Sequence, residues 1–162
     1  MIRYYPYCWA ENDYEAVVCT ACGRSLDESE KDFVTRLSEA TNHPEPTSAA
    51  LAANLLGRLA DPRAVDALLA RLTRKPDSMD VTTAAAEALG LIGDRRAVPG
   101  LASVLLDRER PLPARLAAAE ALVLLGGSQA ETALRDARAQ SNVPVLLQRV
   151  LEAADAGGVT IQ

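Results

Sequence analysis

The chemistry this chain could do is concentrated in its cysteines: Cys8 stands alone, and Cys19 and Cys22 form a Cys-x-x-Cys pair closed by Gly23. Two residues between thiolates let both sulfurs reach one tetrahedral ion at ~2.3 Å. Gly23 permits the tight turn that aims the following backbone N–H groups at sulfur. A structural zinc site needs four ligands, and where a second Cys-x-x-Cys belongs, upstream, stands Tyr5-Pro6-Tyr7-Cys8-Trp9. Tyr5 is a poor fourth donor, because a phenol titrates near ~10 against ~8.5 for a thiol. His43, the single histidine, is a suitable donor at a long reach along the chain. A water in that position gives an open, catalytic-type site. An ion-free knuckle held together by Trp9 and the tyrosines is the remaining alternative. A thioredoxin-like reading needs the pair to open a helix after a strand, and VVCTACGRSL has the strand pattern without the helix. Zinc on Cys8, Cys19 and Cys22, with Tyr5 or His43 as candidate fourth ligand, is the reading the spacing favours.

The rest of the composition narrows the function classes. Up to Pro46 there are four basic and nine acidic residues, whereas the later residues carry thirteen of each. Neither part shows the basic footprint of nucleic-acid binding. All six aromatics lie at or before Phe33, so nothing later stacks on a base or a planar cofactor. No run approaches the ~20 apolar residues of a membrane span. The start MIRYYPYC lacks the basic and apolar regions of a secretion signal. Three cysteines in such a chain fit a reducing compartment, and the expected location is cytoplasmic.

The elements behind the cysteines repeat. Shifted by 33 residues, LLGRLADPRAVDALLARL from Leu55 overlies ALGLIGDRRAVPGLASVL from Ala88, pairing Gly57 with Gly90, Asp61 with Asp94, Arg63 with Arg96 and Leu68 with Leu101. A second such shift pairs Ala85 with Ala118, Leu89 with Leu122 and Gly93 with Gly126. A fixed interval of this length marks a repeat protein. Each unit predicts two helices: Ala-rich first helices over Thr47–Leu59, Thr82–Ile92 and Pro113–Leu125, and second helices over Arg63–Thr73, Arg96–Leu106 and Gln129–Ala139. The first helices stop where Gly, or a Gly-Asp pair, takes a positive φ. Alanine at successive inner positions lets helix backbones approach closely. A hairpin of this kind cannot bury its apolar stripe alone, so neighbours stack into a right-handed or gently curved solenoid.

FVTRL, Phe33–Leu37, repeats the spacing of LLARL, Leu68–Leu72. It predicts a lone second helix over Ser29–Thr41, capping the array with its acidic residues in water. Val143–Asp155 reads as a terminal first helix, and AGGVTIQ as a frayed end. The organisation expected is a knuckle over residues 1–27, a capping helix and linker over 28–46, and an array over 47–162. The array divides into units at about 47–79, 80–112 and 113–142, with a half-unit at 143–156. The fold class is mostly α, an α-solenoid of stacked hairpins preceded by a small β knuckle.

Two resemblances follow from these residues. AAAEALGLIGDRRAVPGLASVLLD, Ala84–Asp107, resembles a HEAT-like repeat of the phycobilisome-lyase type, over roughly Thr47–Ala156. It implies a hydrogen-bonded ladder between units, a role falling here to Asp61 with Arg63 and Asp94 with Arg96. The third unit departs, with Gly127 and Gln129 in those places. The family includes bilin lyases, scaffolds and iron-dependent hydroxylases built on His-Glu pairs, and a chain with one histidine offers no such pair. YPYCWAENDYEAVVCTACGRSL, Tyr5–Leu26, resembles a short zinc ribbon whose first ligand is replaced by Tyr5.

Positions that differ between units are free to serve a partner. On the second helices these are Asp66, Pro99 and Thr132; Ala70, Ser103 and Asp136; Arg71, Val104 and Ala137; Arg74, Asp107 and Gln140. No nucleophile there has a base within reach. The expected function is a non-catalytic scaffold or adaptor for a protein partner, contacted through Asp66, Arg71, Arg74, Ser103, Asp107 and Asp136. Zinc would be a structural cofactor, and self-association through the ends is a second mode of contact. The alternatives are a phycobilin-lyase-like accessory protein and a metal-dependent regulator.

Overall fold

The structure is a computed structural model of the 162-residue chain, and it describes residues 1–27, 29 and 31–156, without the side chains of 155 and 156. Two short strands, β1 (Ile2–Tyr4) and β2 (Glu11–Asp13), pair antiparallel with Arg3 opposite Asn12. Among the described residues eight α-helices follow: α1 (Phe33–Ala40), α2 (Pro46–Leu59), α3 (Val65–Thr73), α4 (Met79–Ile92), α5 (Val98–Leu106), α6 (Leu112–Leu125), α7 (Ser128–Ala139) and α8 (Val145–Ala156). They form the expected stacked array: α2, α4, α6 and α8 make one row, and α1, α3, α5 and α7 the other. The terminal helix expected over Val143–Asp155 runs over Val145–Ala156, so Ala156, expected in the frayed end, still belongs to α8. The rest of AGGVTIQ lies outside the described residues.

Capping chemistry sets the boundaries. The first-row helix α2 starts where Glu45 accepts hydrogen bonds from the N–H groups of Thr47 (2.8 Å) and Ser48 (2.6 Å), with Pro46 as first helical residue. That arrangement satisfies orphan donors at a helix start. The helix expected from Ser29 begins only at Phe33, because the Asp32 carboxylate accepts the Thr35 N–H at 2.8 Å and fixes the N-cap there. Short 3-10 turns at Pro62–Ala64 and Arg95–Ala97 replace the expected first residues of α3 and α5. In each, the Asp before the turn accepts an N–H two residues on. Gly93 closes α4 at φ 77°, but its counterpart closing α2 is Ala60 at φ 51°.

Close approach holds the first row together. Gly57 of α2 lies against Ala88 of α4, where an added Cβ would meet the Ala88 Cα at 2.7 Å; Gly90 meets Ala121 of α6 in the same way. Behind this seam, Leu56, Leu68, Leu72, Leu89, Leu101, Leu105, Leu122 and Leu147 are fully buried in one continuous core. The N-terminal module has its own small core of Tyr5, Cys19 and Leu26.

Candidate metal centre

The N-terminal module consists of two knuckles built to one plan, fourteen residues apart. In the first, Tyr5 N–H donates to Ala10 O (3.1 Å), Trp9 N–H donates to Tyr5 O (2.7 Å), and Trp9 sits at φ 58°. In the second, Cys19 N–H donates to Arg24 O (2.8 Å), Gly23 N–H donates to Cys19 O (2.9 Å), and Gly23 sits at φ 70°. A left-handed backbone is costly for any residue but glycine, yet Trp9 adopts it. Tyr5 thus holds the place in its knuckle that Cys19 holds in the other, and Cys8 pairs in position with Cys22.

The sulfurs of Cys8, Cys19 and Cys22 all lie within 4.8 Å of one another, and Cys8 Sγ is 3.5 Å from Cys19 Sγ. Thiolates at ~2.3 Å on a tetrahedral ion stand about 3.8 Å apart, so the donor set fits zinc. Burial alone would push the Cys19 thiol up. Hydrogen bonds from the Cys22 and Ala21 backbone, with help from the Cys8 thiol and the Asn12 amide (3.6 Å), bring it down to about 6. Cys8, by contrast, is raised, chiefly by burial. Asn12 is itself buried and fixed, donating to Ala10 O at 2.9 Å and accepting the Thr20 N–H at 2.9 Å. Such outer contacts orient the ligands of a metal site. The zinc expected on these three residues would be a structural ion.

Both candidate fourth ligands are engaged elsewhere. The Tyr5 hydroxyl takes a hydrogen bond from Lys31 Nζ at 3.2 Å. His43 accepts the Glu45 N–H at Nδ1 (3.0 Å), and its ring meets Trp9 edge-on at 4.1 Å between centroids. Among the described His, Cys, Asp and Glu residues, the cluster consists of the three cysteines alone.

In the array, Arg63 grips Asp61 through Nε and Nη2 and reaches back to Asp32 of the preceding unit through Nη1. Arg96 likewise grips Asp94 (2.8 Å), while its other contacts run back to Asp66 (3.3 Å) and to Pro62 O (3.2 Å). Asp66, placed by sequence among the partner contacts, is therefore also a member of this inter-unit chain. Ser103, Arg74 and Asp136 are exposed as expected. Asp107 is half-buried and paired with Lys75 and Arg110.

Arg71 corrects the expected surface. It is 5% exposed and paired with Asp77 at 2.9 Å, and its repeat equivalents Val104 and Ala137 are also buried. This column faces inward, so none of its members reaches a partner. Glu39 likewise departs from the expected solvated face of α1: it is buried and paired with Lys31 at 2.8 Å. Sequence reasoning also missed Arg115, which is buried and ties units together by donating to Leu105 O (2.9 Å) and Gln140 (3.0 Å).

HEAT repeats match over residues 34–115, about half of the chain. No curated protein matches in sequence. Among solved structures, human deoxyhypusine hydroxylase in complex with glycerol is similar at 24% identity and a TM-score of 0.67, over 82% of this chain and 46% of that one. The complex of CpcE and CpcF of phycocyanin lyase from Nostoc is similar at 26% identity and a TM-score of 0.65, over 79% and 54% respectively. The chain thus spans about half the length of these relatives. With two helical rows stacked at a 33-residue interval and the sequence match across them, the chain belongs to the HEAT-repeat family.

Proposed function

We propose that the chain is a non-catalytic adaptor in the cytoplasm: a stiff helical platform whose second-helix row receives a protein partner, with zinc on Cys8, Cys19 and Cys22 as a structural staple. The observation that carries it is the division of labour on α5 and α7. Their buried residues join the common core, while Ser103 and Asp136 stand exposed, and Asp136 engages no other side chain among the described residues. The three clustered thiols support the zinc assignment and read as a degenerate zinc ribbon. Likeness to a two-protein complex supports a protein partner.

Crosslinking the full chain to its partner and repeating the capture with Ser103→Arg and Asp136→Lys tests this reading. Loss of the crosslink in both variants, with Arg58→Glu on α2 unaffected, is the expected result. Capture that ignores both substitutions would refute the partner face. Native mass spectrometry is expected to show one zinc per chain. The same lyase likeness favours one second reading, handling of a bilin-bearing partner, which predicts an absorbance shift when a free bilin is mixed with the chain.

A further inference from the structure

Two knuckles on one plan offer four matched positions for donors, and the chain fills them with three sulfurs and one aromatic ring. Cys8, Cys19 and Cys22 bring their Sγ atoms within 4.8 Å of one another. Tyr5 holds the remaining position, since Trp9 N–H donates to Tyr5 O (2.7 Å) much as Gly23 N–H donates to Cys19 O (2.9 Å). The Tyr5 side chain is 2% exposed and shares a small core with Cys19 and Leu26, against which Cys8 also packs. Lys31 Nζ anchors it, donating to the hydroxyl at 3.2 Å and lying 4.8 Å from the ring centroid. The phenol oxygen is thus held on Lys31, and a hydrocarbon ring stands where the fourth thiolate of a ribbon would be.

Donor chemistry then narrows the ion. Structural zinc takes four ligands in a tetrahedron. Among the described His, Cys, Asp and Glu residues, none joins the three cysteines. His43 keeps Nδ1 on the Glu45 N–H at 3.0 Å. Thiolate sets select soft ions, copper(I) and zinc among them. Copper(I), with a closed d shell and a single charge, is satisfied by three thiolates in a plane. An ion in that plane at about 2.3 Å from each sulfur needs the sulfurs about 4 Å apart. The 3.5 Å between Cys8 and Cys19 and the 4.8 Å limit for the whole set bracket that spacing. Three thiolates leave negative charge on a monovalent centre, and the Asn12 amide, 3.6 Å from Cys19 Sγ, donates to it.

We propose that Cys8, Cys19 and Cys22 form a three-coordinate copper(I) site, closed on its fourth side by the Tyr5 ring, and that copper(I) displaces zinc from it. The proposal rests on the reading that these three thiols share one ion, and it does not depend on the adaptor face.

The reduced full chain is loaded with zinc and titrated anaerobically with copper(I), supplied as its acetonitrile complex, and the product is measured by X-ray absorption. One copper taken up and one zinc released per chain are expected, with the edge feature of three-coordinate copper(I) and a first shell of three sulfurs alone. Tyr5→Phe keeps the ring and is expected to keep this spectrum. Tyr5→Cys supplies the fourth thiolate that zinc requires, and is expected to lower the copper-for-zinc exchange constant about tenfold or more. A shell of two sulfurs, or one holding oxygen or nitrogen, would overturn the proposal, as would an exchange constant that Tyr5→Cys leaves unchanged. Binding of neither ion would overturn the shared-ion reading as well, whereas one zinc per chain together with a copper shell of another composition would overturn this proposal alone.

Discussion

Gly57→Ala is the sharpest test of the stacking seam, because two well-understood effects oppose each other there. In an open helix, replacing glycine by alanine stabilises by about 0.8–1.0 kcal/mol. At Gly57 the new Cβ falls 2.7 Å from the Ala88 Cα and 3.0 Å from its Cβ, with Leu91 Cδ1 at 3.3 Å. Carbon atoms rest at about 3.5–4.0 Å, so α2 and α4 must separate by most of an ångström. The obstructing atom is backbone and cannot swing aside. Overpacking of this kind costs about 1–3 kcal/mol even after adjustment, and it acts along the whole seam between two rigid helices. Because the obstruction is backbone, the upper part of that range applies, about 2–3 kcal/mol, and subtracting the helix gain leaves an expected loss of about 1–2 kcal/mol, read as a lower urea midpoint at unchanged slope. For a chain of this size, that lowers Tm by roughly 2–8 °C. The double variant Gly57→Ala/Ala88→Gly removes the 3.0 Å Cβ contact but leaves the Ala88 Cα in place and puts a glycine inside α4, so it is expected to recover little of the loss. A Gly57→Ala chain as stable as the parent, or more so, would show that helix propensity governs this position and that the seam tolerates a wider spacing.

Ala60→Gly is expected to raise stability by about 0.5–1 kcal/mol in the same urea assay, since Ala60 is exposed at φ 51° where its repeat equivalent is Gly93; a loss would show that the turn is not strained. Tyr5→Cys places a thiol at the knuckle position matching Cys19 and is expected to tighten zinc at least tenfold in a chelator competition; unchanged affinity would mean that position 5 does not face the ion. Acid stability follows from two caps: backbone and side-chain contacts from Thr35, then Arg63, hold Asp32 at about 2 against an ordinary 3.8, and the Ser48 and Thr47 contacts hold Glu45 at about 2 against 4.5. Both folded values are depressed, so their stabilisation is complete above pH 4.5 and is lost as pH falls towards 2. Glu45→Gln is expected to flatten the urea midpoint against pH in that window, and an identical slope would remove the cap from the account.

The repeat made the array legible, because a helical hairpin that buries its stripe only against copies of itself writes its interval into the sequence. Errors arose where one residue does the work of a pattern. Arg71 looked exposed because it is charged, yet its column also holds Val104 and Ala137, and that apolar company was the available signal of burial. The first knuckle hid its kinship with the second because Trp9, and not glycine, takes the positive φ, while Tyr5 stands in for a cysteine. The cleft that Trp9 and Asp77 line between the N-terminal module and the array had no sequence signal at all, since it forms only through the docking of one on the other.

That docking makes the cysteines matter to the helices. Lys31 Nζ donates to the Tyr5 hydroxyl, lies 4.8 Å from the Tyr5 ring centroid, and pairs with Glu39 on α1 at 2.8 Å. Trp9 leans on His43 in the loop before α2. Helix α1 in turn covers the open end of the first unit, with Val34 in the common core and Asp32 joined to Arg63. A three-residue core of Tyr5, Cys19 and Leu26 is too small to hold a module of this size by burial alone. An ion bound only when both knuckles are formed adds about 2.7 kcal/mol at a hundredfold excess over its dissociation constant. Through Lys31 and Trp9, that energy reaches α1 and the mouth of the array. Zinc, bound as proposed, therefore stabilises the cap as well as the knuckle. Chelation is expected to speed hydrogen exchange in α1 while leaving α6 unchanged, and equal protection of α1 with and without metal would uncouple the two modules.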